Sequence, residues 1–175
     1  MYDCFCSIRT LYVSDWSNRS LIGQVDLLNS EFMHIVNSST AGRSNSFVYP
    51  NGIALDLPTH KLYWVDSKTK HIDTIDTNGL NHHFIKTLNT TSHPYSVALF
   101  ENMLFWSDWN RFAVHVIDRF TGEELRTLPI NVVGIFGLAV ANEAIQPPGT
   151  AIYSMYTHTT PSCTCLLYTS DAADE

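Results

Sequence analysis

No run of apolar residues in the 175-residue chain reaches about 18, which excludes a helical membrane span. Basic residues are few: Lys and Arg total 10 against 17 Asp and Glu, a net charge of −7. No basic stripe exists, which argues against a nucleic-acid partner, and the modest acidity serves solubility. Met1-Tyr2-Asp3-Cys4 has neither a basic n-region nor an apolar h-region, so the start is not a signal peptide. The four cysteines are Cys4, Cys6, Cys163 and Cys165. Cys4 and Cys6 stand too close to favour a bond to each other, and a metal site would need more ligands nearby. No segment sustains a 3.6-residue period, so no long amphipathic helix is expected. A nucleophile elbow and a phosphate-cradling loop are both missing, which removes two common enzyme classes.

What is present is a repeat. Leu11-Tyr12-Val13-Ser14-Asp15, Leu62-Tyr63-Trp64-Val65-Asp66 and Leu104-Phe105-Trp106-Ser107-Asp108 share one pattern: aliphatic, aromatic, variable, small or branched, aspartate. The Asp-to-Asp intervals are 51 and 42 residues. A period near 42 is that of a propeller blade. Pro50-Asn51-Gly52-Ile53-Ala54-Leu55-Asp56 leads into the second copy and Pro94-Tyr95-Ser96-Val97-Ala98-Leu99 into the third. Ile135-Phe136-Gly137-Leu138-Ala139-Val140 opens a fourth unit. Turns at Asn29-Ser30, Asn78-Gly79 and Thr121-Gly122 keep the same phase. A polar surface insertion, Asn37 to Ser46, accounts for the longer interval.

Strands are expected at Thr10–Trp16, Gln24–Leu28 and Glu31–Val36, then Asn51–Asp56, Lys61–Asp66, Ile72–Asp76 and His83–Leu88. The third unit supplies Tyr95–Phe100, Met103–Asp108, Val114–Asp118 and Leu125–Leu128, and Phe136–Ala141 begins another. Four short antiparallel strands per unit make an all-β propeller blade. Alternation sends Tyr63 and Val65 to one face and Leu62, Trp64 and Asp66 to the other. Asp15, Asp66 and Asp108 close their strands, where each carboxylate can accept backbone N–H bonds and tie blades together. Their return once per blade suits a scaffold and not a single active site, so no catalytic residue is assigned. His34, His60, His71, His82 and His83 fall on polar loops or strand edges, without the convergent spacing of a metal site. Asn-x-Ser/Thr sequons at Asn18, Asn37 and Asn89 are glycosylation candidates.

These residues resemble the YWTD repeats of the low-density-lipoprotein receptor family, also called LDL-receptor class B repeats. The aromatic-Trp-x-Asp strand, the Pro-x-Gly lead-in, Asp108-Trp109-Asn110 and Phe120-Thr121-Gly122 carry the resemblance, together with Gln146-Pro147-Pro148-Gly149-Thr150. It implies an incomplete six-bladed YWTD β-propeller of about three blades across residues 11–150. Residues 1–10 are a candidate tail of an EGF-like module, and 151–164 are an unassigned linker. Residues 165–175 resemble the translation of a sequencing-library adapter and are expected to be non-native. Six units need roughly 250 residues, so an open arc prone to aggregation is expected of this chain alone.

The implied function is the extracellular propeller of an endocytic receptor, at the cell surface and in endosomes. Its partners would be protein ligands and neighbouring receptor modules, with histidines taking part in ligand release at endosomal pH. The membrane would be reached only through a segment outside this chain. No cofactor is implied in this segment; calcium would belong to flanking modules. The alternatives are a nidogen-like or Wnt co-receptor-like propeller and a calcium-dependent propeller hydrolase. The hydrolase would need acidic and amide ligands converging on the central channel from several blades, and the strand starts there offer Asn51, Tyr95 and Phe136, mostly not metal ligands.

Overall fold

The structure is a computed structural model that describes residues 10–37, 47–130, 132 and 134–141. Among the described residues there are eleven β-strands and no helix. They are β1 (Thr10–Asp15), β2 (Leu21–Asp26), β3 (Phe32–Asn37), β4 (Pro50–Asp56), β5 (Lys61–Asp66) and β6 (His71–Asp76). The rest are β7 (His83–Thr87), β8 (Pro94–Phe100), β9 (Met103–Asp108), β10 (Ala113–Asp118) and β11 (Glu124–Pro129). Three antiparallel meanders result: β1-β2-β3, β4-β5-β6-β7 and β8-β9-β10-β11. Each is one blade of an incomplete propeller. Among the described residues the repeated Leu-aromatic strand is the first of blade 1, whereas it is second in blades 2 and 3.

The strands form where β-branched and aromatic residues cluster and stop where an aspartate can bond the turn that follows. Asp26 accepts the backbone N–H of the residue two positions on, and Asp66 and Asp118 accept those of the residues two and three positions on. β5 and β9 have the bounds expected from sequence. β2 starts three residues earlier than the expected Gln24, because Gly23 interrupts the apolar alternation there. That glycine is required by packing: a Cβ would lie 2.4 Å from a Phe32 ring carbon.

Alternation on β5 feeds two cores. Tyr63 and Val65 pack with Ile72, Ile85, Val97, Leu104 and Trp106, between blades 2 and 3. Leu62 and Trp64 pack with Ile22, Val36, Phe47 and Ile75, between blades 1 and 2. Each fully buried side chain of this size stabilises by about 1.5–3 kcal/mol. The outer turns set how neighbouring blades sit. Gly79, at φ 82°, and Gly122, at φ 72°, would place a Cβ 2.8 Å from the Ile35 carbonyl oxygen and 2.7 Å from that of Ile85. Each turn therefore rests on the outer strand of the preceding blade, a fit that only glycine allows.

The expected strand Phe136–Ala141 is not a strand. A strand is defined by its ladder, and among the described residues this segment has no ladder partner. It is instead held by side chains of blade 3: Ser107 Oγ donates to the Phe136 carbonyl (2.9 Å) and the Leu138 N–H donates to Ser96 Oγ (3.1 Å). Several readings lie outside the described residues: the start before Thr10, the insertion 38–46, the segment 146–150, the linker 151–164 and the tail 165–175. All four cysteines lie there too. Among the described residues no helix is long and apolar enough to cross a membrane.

Candidate functional site

The ends of β1, β5 and β9 and the starts of β4 and β8 share one face of the arc. The three motif aspartates meet different surroundings there. Asp66 is fully buried. Its Oδ2 accepts the N–H groups of Val48 (2.7 Å) and Tyr49 (2.9 Å) from the lead-in to β4. Its Oδ1 accepts those of Lys68 (2.8 Å) and Thr69 (2.9 Å) from the following loop. Asp108, also fully buried, accepts the N–H groups of His93 (3.0 Å), Asn110 (3.1 Å) and Arg111 (3.2 Å) on Oδ1. Asp15 is exposed and bonds only its own loop, through the Ser17 N–H (2.9 Å) and hydroxyl (2.8 Å). The three carboxylates thus stand on separate strands, each engaged with its own loop. A carboxylate holding four N–H donors has no free lone pair for a substrate.

Other contacts in the same phase were not singled out from sequence. Ser14 Oγ donates to the Asn51 carbonyl (2.9 Å), as Ser107 Oγ does to that of Phe136. The serine before Asp15 and the serine before Asp108 therefore each reach across to the inner segment of the next unit. Val65 has no hydroxyl, and there the Asn51 side-chain amide bonds the Pro94 carbonyl instead (3.0 Å). The small hydroxyl residue in the motif was the available signal. Beside these contacts lies a shallow pocket of about 230 Å³, lined by Ser14, Trp16, Asn51, Gly52, Tyr95 and Ser96 with Pro50. Exposed aromatics flank it. Trp16 meets Tyr49 edge-on at 5.5 Å, Tyr95 meets Phe136 at 5.1 Å, and Phe136 lies 6.2 Å from Trp109. Trp16 is 63% exposed and Phe136 52%. Asn51, Tyr95 and Phe136 thus stand together, offering stacking surface and one amide.

The remaining motif aromatics are structural. Tyr63, Trp64 and Trp106 are buried, and Tyr12 and Phe105 are half-buried. Burial raises the Tyr63 hydroxyl above its ordinary value, opposed by the nearby Arg119 charge. Arg119 crosses from blade 3 to blade 2, donating to Asp56 Oδ2 at 2.8 Å, and its guanidinium lies 4.8 Å from the Phe120 ring centre. Burial lowers Lys70, against the pull of Asp108 and Asp66.

Two histidines differ from the expected picture of polar loops and edges. His82 stacks on Trp64 (5.4 Å, 19°) and bonds Asp73 at 3.1 Å, so it is packed onto the blade. His115, which the sequence did not single out, is buried and stacked on Trp106 (4.2 Å, 9°). Its Nδ1 lies 3.1 Å from Glu124 Oε1. Hydrogen bonds from Thr127 and then His115 hold Glu124 below the ordinary carboxylate value. His34 and His60 are exposed and His71 is half-buried. Among the described residues no group of three or more His, Cys, Asp or Glu could hold a metal ion.

No family model matches the chain. Curated relatives do. The vitellogenin receptor Yl of Drosophila melanogaster is 31% identical over 137 residues, 78% of this chain and 6% of that protein. Low-density lipoprotein receptor-related protein 4 of Mus musculus is 29% identical over 97 residues, 55% of this chain and 5% of that protein. The chain therefore spans only a small fraction of the relatives it matches. Among solved structures, a nidogen/laminin complex superposes with a TM-score of 0.63 at 20% identity, over 74% of this chain and 46% of that one. A luciferin-regenerating enzyme matches with a TM-score of 0.60 at 15% identity, over 76% of this chain and 47% of that one. Both show the fold alone. The repeated motif, the blades built on it and the receptor relatives together establish that the chain carries YWTD repeats of the low-density-lipoprotein receptor family.

Proposed function

We propose that the chain is part of the extracellular propeller of an endocytic, lipoprotein-receptor-like protein, a scaffold that binds protein ligands and releases them in endosomes. The observation that carries this reading is the exposed aromatic row, Trp16, Tyr49, Tyr95, Phe136 and Trp109, beside the pocket on one face of the arc. Aromatic groups left in water beside a pocket are characteristic of protein-binding surfaces. The receptor relatives support the same direction. The motif aspartates, set on separate strands with Asp66 wholly occupied by backbone N–H groups, favour a binding scaffold over catalysis.

The test uses purified vitellogenin as the probe over immobilised full chain. Saturable binding is expected at about pH 7 and weaker binding at about pH 5, the range in which histidine gains charge. Trp16→Ser with Tyr95→Ser should abolish binding while leaving the circular dichroism spectrum unchanged. Unaltered binding by that double variant would remove this face from the reading. A second reading, a matrix-type propeller, draws on the fold match to the nidogen/laminin complex. Binding of laminin in place of vitellogenin would select it.

A further inference from the structure

We propose that Asn89 is the asparagine which the folded chain presents for N-linked glycosylation, and that Asn37 and Asn18 are not presented in the same way. The biological setting rests on the extracellular reading above; the geometric claim does not. All three sequons lie on one face: Asn18 in the β1–β2 loop, Asn37 at the end of β3 and Asn89 in the β7–β8 link. Transfer of a sugar needs an exposed amide nitrogen, backbone free of a strand ladder, and the hydroxyl of the third residue close to that amide.

Asn89-Thr90-Thr91 meets all three conditions. Its residues are exposed and lie between strands. Among the described residues the Asn89 Nδ2 has no hydrogen-bond partner, while Oδ1 accepts both the Thr91 N–H (3.0 Å) and the Thr91 hydroxyl (3.0 Å). Blade 3 holds the turn in place: Asn110 Nδ2 donates to the Thr91 carbonyl (3.1 Å) and Arg111 Nη2 to the Thr91 hydroxyl (3.3 Å). The other two sequons each lack a condition. Asn37 is paired in a ladder with Leu21 and is only half exposed. Asn18 is exposed, but Ser20 is buried and its hydroxyl is turned inward to the carbonyl of Val48 (2.5 Å), with that of Ser17 3.0 Å away.

In the reaction, the Asn89 Nδ2 forms a bond to the anomeric carbon of an oligosaccharide carried on a polyprenyl diphosphate. The bond from that carbon to the diphosphate oxygen breaks, and its electron pair leaves with the carrier. Nδ2 gives up one proton to a base of the transferase. The product is a neutral glycosylated amide on a turn that already faces solvent.

The experiment compares folded and denatured full chain, kept soluble as a fusion, as substrates for a purified oligosaccharyltransferase with its lipid-linked donor. Peptide mass spectrometry reads the occupied positions. The folded chain should gain one glycan, at Asn89, and the urea-denatured chain should gain glycans at all three sequons. Asn89→Gln, and separately Thr91→Ala, should leave the folded chain unmodified. Modification of folded chain at Asn37 or Asn18 as fast as at Asn89 would overturn the proposal. So would an unmodified Asn89 in folded chain whose denatured form accepts the sugar there. Neither result bears on the receptor reading, which would instead be damaged if the protein from its natural source carried no glycan at a position modified in the folded chain.

Discussion

Blades 1 and 2 carry the same five-residue strand under opposite circumstances. In blade 2, Tyr63 and Trp64 are 2% and 0% exposed, and Asp66 is enclosed by four N–H groups. In blade 1, Leu11 is 51% exposed and Asp15 lies open to solvent, bonded only to Ser17. Blade 2 has a neighbouring blade on each side. Blade 1 has one on a single side among the described residues. A blade's core is therefore conferred by its neighbours: the motif supplies two apolar faces, and adjacent sheets turn them into buried ones. One motif then has two energetic values, according to its place in the arc.

That difference is open to direct attack, the largest effect first. Trp64→Ala should destabilise the chain by about 4 kcal/mol, as truncation of a buried Trp does, while Val13→Ala at the equivalent half-buried position should cost about 1 kcal/mol. Urea unfolding followed by far-ultraviolet circular dichroism reads both. Asp66→Ala strands four N–H groups and should cost about 3 kcal/mol, against less than about 1 kcal/mol for Asp15→Ala. Equal losses at the two aspartates would end the distinction between enclosed and open copies. Gly122→Ala should lower stability by more than about 1 kcal/mol, because both its positive φ and the Ile85 carbonyl oppose a Cβ. Ser14→Ala should cost about 1 kcal/mol through the lost bond to Asn51.

The smallest effect depends on pH and sits in blade 3. Glu124 is held below its ordinary value of 4.5 in the folded chain. A depressed carboxylate contributes stability that is present above the unfolded value and lost as pH falls through the folded one. Glu124→Gln should therefore lower stability slightly at neutral pH and leave it nearly unchanged once pH has fallen below the folded value, so that the variant's acid limb is flatter.

Much of this architecture could be read from residue order. The bounds of β5 and β9, the two-sided alternation of Leu62 to Val65 and the aspartate at each strand end all follow from period two and turn chemistry. What escaped was non-local. Arg119 and Asp56 are 63 positions apart, and nothing in either neighbourhood announces the other. His82 looked like a loop residue because its loop is polar; the Trp64 ring beneath it belongs to a different strand. The start of β2 was hidden by Gly23, whose reason is the Phe32 ring lying over it. Phe136–Ala141 has the composition of a strand, but composition does not supply the ladder. The bonds of Asp66 and Asp108 to their lead-ins became visible only once those segments were placed.

Gly79 rests on Ile35 and Gly122 on Ile85, in each case on backbone made earlier in the chain. These two outer-turn contacts between blades therefore point backward along the polypeptide. As the chain grows from the ribosome, each of these two turns meets a docking strand that has already emerged, so this docking can proceed in the order of synthesis. A blade would rarely need to wait for the one that follows in order to find its angle.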